Sequence, residues 1–449
     1  MLNVGCSACP QNGSVLIIVL WIAIGLVSIA LYFANSMTFE LRASDNRASG
    51  LATDQAIEGA ARYVGFVLAN FATNGAVPLK TQYNSAAVPI GDARFWLIGR
   101  DPSGTPSAEP YFGLMDEGAK LNLNTANTNT LSYLPGMTFD FADAIVDWRS
   151  TNGSGAFALN YAQLSYQEKN ELFETVDELR LVYGATLDLL AGDDLNRNGV
   201  LDANEKSLNG SGQVNPGLLE YVTVYTREPN FHSDGTTLTN VNTASQENLL
   251  TLFENAGVAN ANGLATAITN RVSSLGNFSG ILSFCLFCRN RNMSSADFTK
   301  ICNDVTTTNS PYIRGRVNVN TAGLDVLTAL LMGVGLDQET ASGAAQTLIT
   351  YRQQNPNNLG SVAWVVDALG TTSPALRDLA TGDYVTTRSF QFTADIAAIG
   401  PFGRGYRRVK FIFDTSDGTP KIIYRQDLSR LGWALGEKAR ETLVAKTTQ

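Results

Sequence analysis

The 449-residue sequence predicts an α+β fold: one long N-terminal helix, a small antiparallel sheet and a large, mainly helical inserted domain. Three observations predict it. An uncharged apolar run passes into a stretch of helix formers, alternating residues recur near the C-terminus, and a motif repeats in the middle. The predicted segments are a leader at 1–13, a transmembrane helix at 14–34, its continuation at 35–72, the first strands at 91–124, a helical insertion at 125–380 with a calcium-type loop at 194–205, C-terminal strands at 381–435 and a tail at 436–449.

The run over 14–34 reads SVLIIVLWIAIGLVSIALYFA and carries no charge. A helix of this length is roughly 31 Å long, about the hydrocarbon thickness of a bilayer. Because only a helix satisfies its own backbone groups in lipid over such a run, the sequence predicts a membrane-spanning helix. Three interpretations stay open: a secretory signal cleaved near Ser36, a plain anchor, and a prepilin-type leader cut between Gly13 and Ser14.

Helix formers continue beyond the apolar run as far as about Phe71. Apolar and small residues recur there at helical spacing, namely Leu51, Ile57, Ala60, Ala61, Val64 and Leu68. The sequence therefore predicts that the membrane helix runs on as one long helix, apolar at its start and amphipathic further on. A stretch rich in Pro, Gly, Ser and Asn over 74–92 is typical of a loop.

Short alternating stretches predict the strands. Two candidates lie at 93–100 and 111–124, and a third lies at 220–227. The clearest β region is near the C-terminus, where alternating stretches are joined by the turn sequences PFGRG and TSDGT. It predicts a three-stranded antiparallel meander with strands at 389–399, 406–414 and 420–427.

An internal repeat organises the middle of the chain. Each of its three copies reads Asn-x-Asn-Thr-Ala, continues with leucines at helical spacing, turns at a glycine and closes with a second helix that ends in arginine. The turn glycines are Gly136, Gly257 and Gly335, and the arginines are Arg149, Arg271 and Arg352. We expect the hydroxyls of Thr125, Thr243 and Thr321 to cap the first helices. The unequal spacing of the copies excludes a regular solenoid.

The repeat resembles the helix-hairpin-helix motif, which in many families binds the DNA backbone through turn amides and nearby basic residues. The turns here read LPGMTFD, ENAGVAN and MGVGLDQ, with acidic or neutral neighbours and no lysine. The net charge of −9 also argues against a general nucleic-acid surface, because phosphate binding requires clustered Lys and Arg. The sequence therefore favours compact packing units over DNA binding.

Histidine and cysteine usage limits the chemistry. The single histidine, His232, lies in a polar loop without a nucleophile motif, so the sequence predicts no histidine-based catalysis. Two cysteines lie in the predicted leader, and Cys285, Cys288 and Cys302 share one stretch without a fourth zinc ligand nearby. In an oxidising compartment we expect one disulfide and one spare thiol, with Cys288–Cys302 and Cys285–Cys302 both open.

One loop, DLNRNGVLDANE, matches the pattern of an EF-hand calcium loop. The expected ligands are Asp194, Asn196, Asn198, the Val200 carbonyl, Asp202 and a bidentate Glu205. A hard cation needs six to eight oxygens, and Gly199 permits the bend that aims them inward. An upstream helix is expected to end near Tyr183, short of the loop, so we expect a structural Ca²⁺ site without a complete EF-hand pair. The alternative is an Asx-rich turn of the same composition.

Five features, in order along the chain, resemble one known family. They are Gly13 before the apolar helix, RASGLATDQAIEGA in its extension, DEGAKLNLNTA, VNVNTA, and the ending that starts FTADIAAIG. Together they resemble, over nearly the whole chain, the minor pseudopilin K family of type II secretion systems (general secretion pathway protein K). The resemblance implies a pseudopilin fold, a long N-terminal helix packed on a small antiparallel sheet, with a large inserted α-domain. It also implies calcium in the soluble part.

The resemblance implies a structural role without catalysis. Members of the family sit at the tip of a short periplasmic pseudopilus, in complex with other minor pseudopilins. They help to initiate pseudopilus assembly, and they support protein export across the outer membrane. The partners implied are those minor pseudopilins and the major pseudopilin, with contact to the secreted cargo as a further expectation. The alternative from another class is a membrane-anchored helix-hairpin-helix protein that binds DNA for uptake, and a third is a secreted enzyme behind a cleaved signal.

The resemblance also implies how the N-terminus is processed. A prepilin peptidase would cut after Gly13 and methylate Ser14, and a single-pass helix in the inner membrane would leave the bulk of the chain in the periplasm. Ile18 stands where major pseudopilins carry a glutamate, which suits a subunit at the tip. The leader has no Lys or Arg, so the positive-inside rule gives this topology no support.

Overall fold

A computed structural model describes residues 13–71, 74–102, 107–151, 155–207 and 214–440. In these ranges the α-helices are α1 (Gly13–Phe71), α2 (Thr128–Ser132), α3 (Phe139–Arg149), α4 (Ala158–Gln163), α5 (Leu187–Ala191), α6 (Gln246–Asn255), α7 (Ala261–Leu275), α8 (Ile281–Arg289), α9 (Ser295–Ile301), α10 (Leu324–Gly333), α11 (Gln338–Gln354), α12 (Ala363–Leu369) and α13 (Pro374–Leu379). The strands are β1 (Val88–Ile90), β2 (Ala93–Ile98), β3 (Met115–Asp116), β4 (Leu121–Asn122), β5 (Val222–Thr223), β6 (Arg227–Pro229), β7 (Thr239–Asn240), β8 (Val305–Thr306), β9 (Tyr312–Arg314), β10 (Val317–Asn318), β11 (Val385–Thr386), β12 (Gln391–Ile399), β13 (Tyr406–Asp414) and β14 (Lys421–Asp427).

The long helix is continuous, as the sequence predicts. It has 59 residues and is therefore about 88 Å long. The large apolar side chains of its N-terminal part, from Val15 to Phe33, are exposed, whereas Ala56, Ala60 and Val64 are buried. Among the described helices, this is the one that is long and apolar enough to cross a membrane. The chain thus has one N-terminal helix suited to single-pass anchoring.

The C-terminal half of α1 packs on the main sheet. The strands follow the order β1-β2-β12-β13-β14, and every named pair is antiparallel. Strand β12 lies in the centre and all its residues are buried, so it contributes Phe392 to the face under α1 and Ile399 to the opposite face. The predicted C-terminal meander is confirmed. The prediction of a plain loop over 74–92 is wrong, because β1 lies in it and pairs with β2.

The predicted strand at 111–124 is also wrong as a single unit. Within it, Phe112 forms a single bridge to Ile98 of β2, and β3 pairs with β12 of the main sheet. A 3₁₀ turn at Glu117–Ala119 follows, and the Asp116 carboxylate accepts a hydrogen bond from Gly118 N at 2.7 Å. The turn redirects the chain, and β4 pairs with β5 inside the inserted domain. The predicted strand at 220–227 is likewise divided, into β5 and β6.

Each copy of the repeat forms one helical hairpin and one short parallel strand pair. The hairpins are α2–α3, α6–α7 and α10–α11, and the predicted turn glycines all have positive φ. The strand of each Asn-x-Asn-Thr-Ala motif pairs with a later Val-Thr dipeptide, in the pairs β4·β5, β7·β8 and β10·β11. Because β11 belongs to the third copy, the insertion extends past the predicted boundary at 380.

The predicted threonine caps are wrong. Helices α2 and α6 are capped by the side chains of Asn127 and Ser245, whereas α10 is preceded by Gly323, which offers no side-chain cap. The Thr125 hydroxyl lies 3.4 Å from the Asn122 carbonyl and donates to it. The threonine therefore belongs to the turn before the helix, because the motif first closes an Asx turn and the helix starts only after it.

Two adjacent carboxylates fasten the inserted domain to the sheet. Asp116 accepts hydrogen bonds from Ser389 Oγ at 2.7 Å and from Asn318 Nδ2 at 3.0 Å. Glu117 accepts from Thr393 of β12 and forms an ion pair with Lys120 at 3.0 Å. Burial opposes ionisation of Glu117, but the charges of Lys120 and Lys410 and the hydroxyl donors lower its pKa to about 2. These contacts explain the acidic residues and the lysine of the DEGAKLNLN segment.

The expected disulfide is not formed. Cys285, Cys288 and Cys302 are all free thiols in the described structure. The first two lie one turn apart on α8 and point into the core, whereas the Cys302 thiol turns back to the Thr299 carbonyl at 3.3 Å. Burial raises the pKa of each thiol, which disfavours the reactive thiolate at neutral pH. Cys285 and Cys288 are core residues, and Cys302 is partly buried.

Candidate metal centre

The loop with the calcium pattern begins shortly after α5. The predicted upstream helix ending near Tyr183 is wrong, because the chain there forms only a 3₁₀ turn at Val176–Leu181. The five-residue helix α5 then ends at Ala191, and the positive φ of Gly192 redirects the chain into the loop. One short helix therefore precedes the loop.

Asp194 folds the first half of the loop. Its two carboxylate oxygens accept hydrogen bonds from Asn198 N at 2.9 Å and from Gly199 N at 2.7 Å. Asn196 Oδ1 accepts from the same Asn198 N–H at 3.0 Å, and Asn198 Oδ1 accepts from Val200 N at 2.9 Å. Gly199 has φ +88°, a conformation that favours glycine. Three oxygen-bearing side chains are thereby turned toward one side of the loop.

Glu205 closes the loop from its far end. Its two oxygens accept from Asn196 N and from Asp202 N, each at 3.1 Å. Asp202 Oδ2 accepts from the amides of Asn196 and Asn198. All five predicted ligand side chains are therefore brought together. The fourth position of the pattern, Val200, is buried beside them.

The carboxylates of this loop are held in an unfavourable environment. Asp194 is 1% exposed and Glu205 is 8% exposed. Burial raises the pKa of Asp194, and the Arg100 guanidinium at 3.9 Å only partly offsets it. Burial also raises the pKa of Glu205, and the nearby charges of Asp194 and Asp202 add to the effect. A bound cation would remove this penalty.

The donor set fits a hard cation. Carboxylate, amide and carbonyl oxygens are the ligands that Ca²⁺ prefers, and rotating an Asn amide exchanges its donor nitrogen for an acceptor oxygen. In the described part of the chain, no group of three or more His, Cys, Asp and Glu side chains has metal-binding spacing, and this includes Asp194, Asp202 and Glu205 of the loop. A cation here would need amide and carbonyl oxygens as further ligands, and such a mixed set suits calcium and disfavours zinc.

The main sheet holds the loop from outside. Arg408 of β13 is fully buried and forms a bidentate ion pair with Asp395 of β12, at 2.6 and 2.9 Å. The same guanidinium donates to the backbone carbonyls of Asn196 and, at 2.8 Å, Arg197. Asn196 Nδ2 also donates to the Trp433 carbonyl at 3.1 Å. The loop therefore joins the inserted domain to the sheet.

Arginines hold the repeat turns in a similar way. Arg352 donates to the carbonyls of Val319 and Ala322, both at 2.8 Å, and Arg149 makes the equivalent bonds in the first copy. Arg271 in the second copy instead donates to the Gly276 carbonyl and lies 4.2 Å from the centre of the Phe278 ring. The predicted arginine at the end of each second helix thus has a common role in the first and third copies.

Sequence reasoning missed the second asparagine of each motif. Asn124 exchanges two hydrogen bonds with the backbone of Phe173, and Asn242 does the same with Phe278. Asn320 donates to the carbonyls of Leu359 and Thr387 and accepts from the Trp364 indole at 2.9 Å. The recurrence of Asn at this position was the available signal. It indicates a side chain that fastens a later loop to the motif.

The predicted processing site lies at the edge of the described structure. Gly13 and Ser14 are the first two residues of α1. The leader that precedes them lies outside the described residues, together with its two cysteines.

Comparisons with known proteins give two results and one negative finding. Residues 116–158 match the family model of the helix-hairpin-helix motif, which confirms the motif for the first copy of the repeat. The chain is similar to a solved structure, the crystal structure of the GspK-GspI-GspJ complex from the enterotoxigenic Escherichia coli Type 2 Secretion System. The similarity has a TM-score of 0.42 and 11% sequence identity, and covers 86% of this chain and 99% of that chain. Among curated proteins, none matches the sequence.

Proposed function

We propose that this protein is a minor pseudopilin of a type II secretion system, with a structural and non-catalytic role. The observation that carries the proposal is the division of α1 into two parts. Its apolar N-terminal part projects with its side chains exposed, and its C-terminal part packs on an antiparallel sheet. The order of sequence features that resembles the minor pseudopilin K family supports the same conclusion.

The two parts of α1 suit two tasks. A helix with exposed apolar side chains can first lie in the inner membrane and later pack against the helices of neighbouring subunits. Ile18, at the position where major pseudopilins carry a glutamate, is 56% exposed on this surface. Without a carboxylate there, the helix cannot neutralise the N-terminus of a following subunit. We therefore place the protein at the tip, with other minor pseudopilins and the major pseudopilin below it.

The N-terminus of the mature chain tests this proposal. We expect a prepilin peptidase to cut after Gly13, so that mass spectrometry of the membrane-extracted protein finds a chain that begins with methylated Ser14. Gly13→Asp should block the cut and abolish secretion by the system, while Gly25→Ala should leave both unchanged, since Gly25 has open space around it. A mature start near Ser36 would show a cleaved signal and contradict the proposal.

We propose, further, that the loop at 194–205 binds a structural Ca²⁺. Asp194, Asn196, Asn198, Asp202 and Glu205 would hold the ion by side-chain oxygens and Val200 by its carbonyl. The raised pKa values of the buried carboxyls support a cationic occupant. The ion would supply positive charge that stabilises the junction between the inserted domain and the sheet.

Thermal unfolding with and without chelator tests the calcium proposal. At a hundredfold excess of free Ca²⁺ over the dissociation constant, binding stabilises the folded state by about 2.7 kcal/mol. Chelator should therefore lower the melting temperature of the wild type, and Glu205→Gln should abolish the difference. Glu174→Gln is a suitable control, because Glu174 is a highly exposed carboxylate outside the loop. Equal melting temperatures of the wild type with and without chelator would contradict the proposal.

The helix-hairpin-helix match favours a second candidate, a membrane-anchored DNA receptor. The charge of the motif argues against this candidate, because the first hairpin turn over 134–140 contains an exposed Asp140 and no basic residue. Binding of duplex DNA by the full chain, measured at several salt concentrations, separates the two candidates. Tight, salt-sensitive binding would favour the receptor, and weak binding at all salt concentrations favours the pseudopilin.

A further inference from the structure

The first repeat and the segment after it expose an unusual number of large apolar side chains. We call this the first-repeat surface, and its main members are Tyr133, Phe139, Leu159, Leu181, Tyr183 and Leu187. Leu159 is 79% exposed, and Phe139 and Leu187 are 58% and 57% exposed. Exposed apolar side chains that cluster in this way mark interaction sites in soluble domains.

Contacts show that these residues lie on adjoining parts of the fold. Tyr183 packs on Phe157 with ring centres 6.0 Å apart, and its backbone N–H donates to the Tyr161 hydroxyl at 3.0 Å. Gly184 lies against Phe141, and Gly136 of the hairpin turn lies against Leu189. Each exposed member lies within three residues of one of these contact points along the chain. The surface therefore extends from the hairpin turn across α4 and α5.

The other two copies of the repeat supply a comparison inside the same chain. Over the described residues from 239 to 388, the large hydrophobic side chains that are exposed are Leu275 and Leu324. The hairpin architecture itself therefore does not require exposed leucines and aromatics. The first copy of the repeat therefore differs from the second and third copies in its exposed apolar side chains. The hairpin fold does not explain this difference.

The same region has an excess of acidic residues. From 133 to 188 the sequence has nine acidic and three basic residues, within a chain whose net charge is −9. Asp140, Glu171, Glu174 and Asp188 are exposed, whereas the exposed Arg180 already pairs with Asp177 at 3.5 Å. Of the four exposed carboxylates, Glu174 lies 3.9 Å from Lys169, whereas Asp140, Glu171 and Asp188 form no ion pair within the described residues. The exposed apolar side chains thus share this segment with an excess of carboxylates.

We propose that the first-repeat surface binds a partner protein through an amphipathic segment in which lysine or arginine residues flank leucine-like side chains. Charge complementarity selects this occupant. An anionic membrane would be repelled by the carboxylates, and a second copy would bring an equally acidic surface to a symmetric contact. The proposal goes beyond the pseudopilin function and does not depend on it.

A designed peptide tests the proposal directly. The probe is a labelled amphipathic helix of about 18 residues made of Leu and Lys, and the target is the full chain in zwitterionic nanodiscs, with empty nanodiscs as the baseline. We expect saturable binding that weakens about tenfold as the salt concentration rises. A peptide with Glu in place of Lys should bind at least tenfold more weakly. Equal binding of the two peptides would overturn the proposal.

Matched substitutions locate the binding. Leu159→Ser combined with Leu187→Ser should weaken binding of the Lys peptide about tenfold, as expected for loss of two buried contacts. Leu275→Ser, an equally exposed leucine in the second repeat, should leave it unchanged. All these residues are exposed, so the melting temperature should stay the same. If the double variant binds the peptide as well as the wild type does, the surface is not the site.

Photo-crosslinking in cells identifies the natural occupant. A photoreactive residue at Leu187 should crosslink to a protein whose crosslinked segment is basic and amphipathic, and the same probe at Leu275 should not. Crosslinking to a second copy of this chain would overturn the proposal. Leu187-dependent binding of anionic vesicles to the purified protein would overturn it too, in favour of a lipid surface.

Discussion

The calcium-type loop and the Asn-x-Asn-Thr-Ala turns use the same local chemistry for different purposes. In both, Asx side chains accept backbone N–H groups two or more residues ahead, and a buried arginine donates to backbone carbonyls. In the turns the Asx side chains are neutral amides whose remaining hydrogen bonds are completed by backbone and side-chain groups of the protein. In the loop, Asp194 and Glu205 are buried carboxylates. The turns therefore bury no charge on their Asx side chains, whereas the loop buries two carboxylates.

The arginines that bind the loop and the turns differ in the charge of their partners. Arg408, which holds the loop, has the carboxylate of Asp395 as its partner. Arg352, which holds a turn, binds carbonyls, and burial lowers its pKa to about 10. It remains charged at neutral pH, and the dipoles of two carbonyls oppose the cost of burying it. Removing Arg408 leaves a buried negative charge, whereas removing Arg352 leaves only unpaired carbonyls. Removal of Arg408 should therefore destabilise the protein more than removal of Arg352.

The largest effect is expected for Arg408→Ala. Breaking a buried ion pair by removing one partner costs about 3–5 kcal/mol, because the charge of Asp395 stays buried. Hydrogen exchange of the full chain should show at least a hundredfold faster exchange at the loop amides of Asn198 and Gly199, since tenfold corresponds to about 1.4 kcal/mol. The loop and the sheet would separate locally.

Arg407→Ala is the matched control for this variant. Arg407 is the neighbouring residue on β13, and it pairs with Asp54 on the surface at 3.0 Å. An exposed pair of this kind contributes about 0–1 kcal/mol. If Arg407→Ala and Arg408→Ala had the same effect on loop exchange, Arg408 would not be what holds the loop to the sheet.

Arg352→Ala should come next, with a loss of about 2–3 kcal/mol from two buried carbonyls left without donors. The melting temperature should fall equally in calcium and in chelator, because the turn has no part in metal binding. Arg271→Ala, the same substitution in the second copy, should cost no more than about 0.5 kcal/mol, since this arginine is less buried and binds one carbonyl near the surface. Equal losses would show that the two arginines have the same role.

These comparisons show what the sequence could predict. The long helix, the meander and the hairpins depend on signals within a few residues of one another, so their prediction from spacing succeeded. The calcium pattern is equally local, and calcium binding stays a prediction. The parallel strand pairs have only two residues each, and Asn122 pairs with Thr223 far along the chain. The contact between Arg408 and Asn196 spans 212 residues. Such contacts leave no local pattern, so the fastening of the loop to the sheet was not predictable.

The predicted caps failed for a related reason. Threonine after Asn-x-Asn is a good cap by composition, but the preceding asparagine already uses the N–H groups that shape the turn. The helix then starts later, at a residue whose identity differs among the copies. Capping propensity correctly predicted a polar cap close to the start of the first two helices. The competing Asx turn determined which residue is the cap.

The smallest expected effect is a dependence of the folding stability on pH, which the loop should cause and the turns should not. Burial raises the pKa of Asp194 in the folded protein, so the calcium-free folded state binds a proton more tightly than the unfolded state does. The calcium-free protein should therefore lose stability as the pH rises above the ordinary carboxyl range near 4, by about 1.4 kcal/mol for each unit of the pKa difference. If the loop binds calcium as proposed, the ion would bind the ionised form and should reverse the trend.

Asp194→Asn provides the reference for this measurement, because it keeps the shape of the side chain and removes its titration. The melting temperature of the metal-free wild type, relative to that of the variant, should fall between pH 4 and pH 7. The stabilisation that calcium gives the wild type should grow over the same range, since fewer protons compete with the ion. Arg352→Ala should show the wild-type dependence on pH. A constant difference between wild type and Asp194→Asn at all pH values would mean that the loop carboxylate is as well solvated as an exposed one, and the contrast between the loop and the turns would fail.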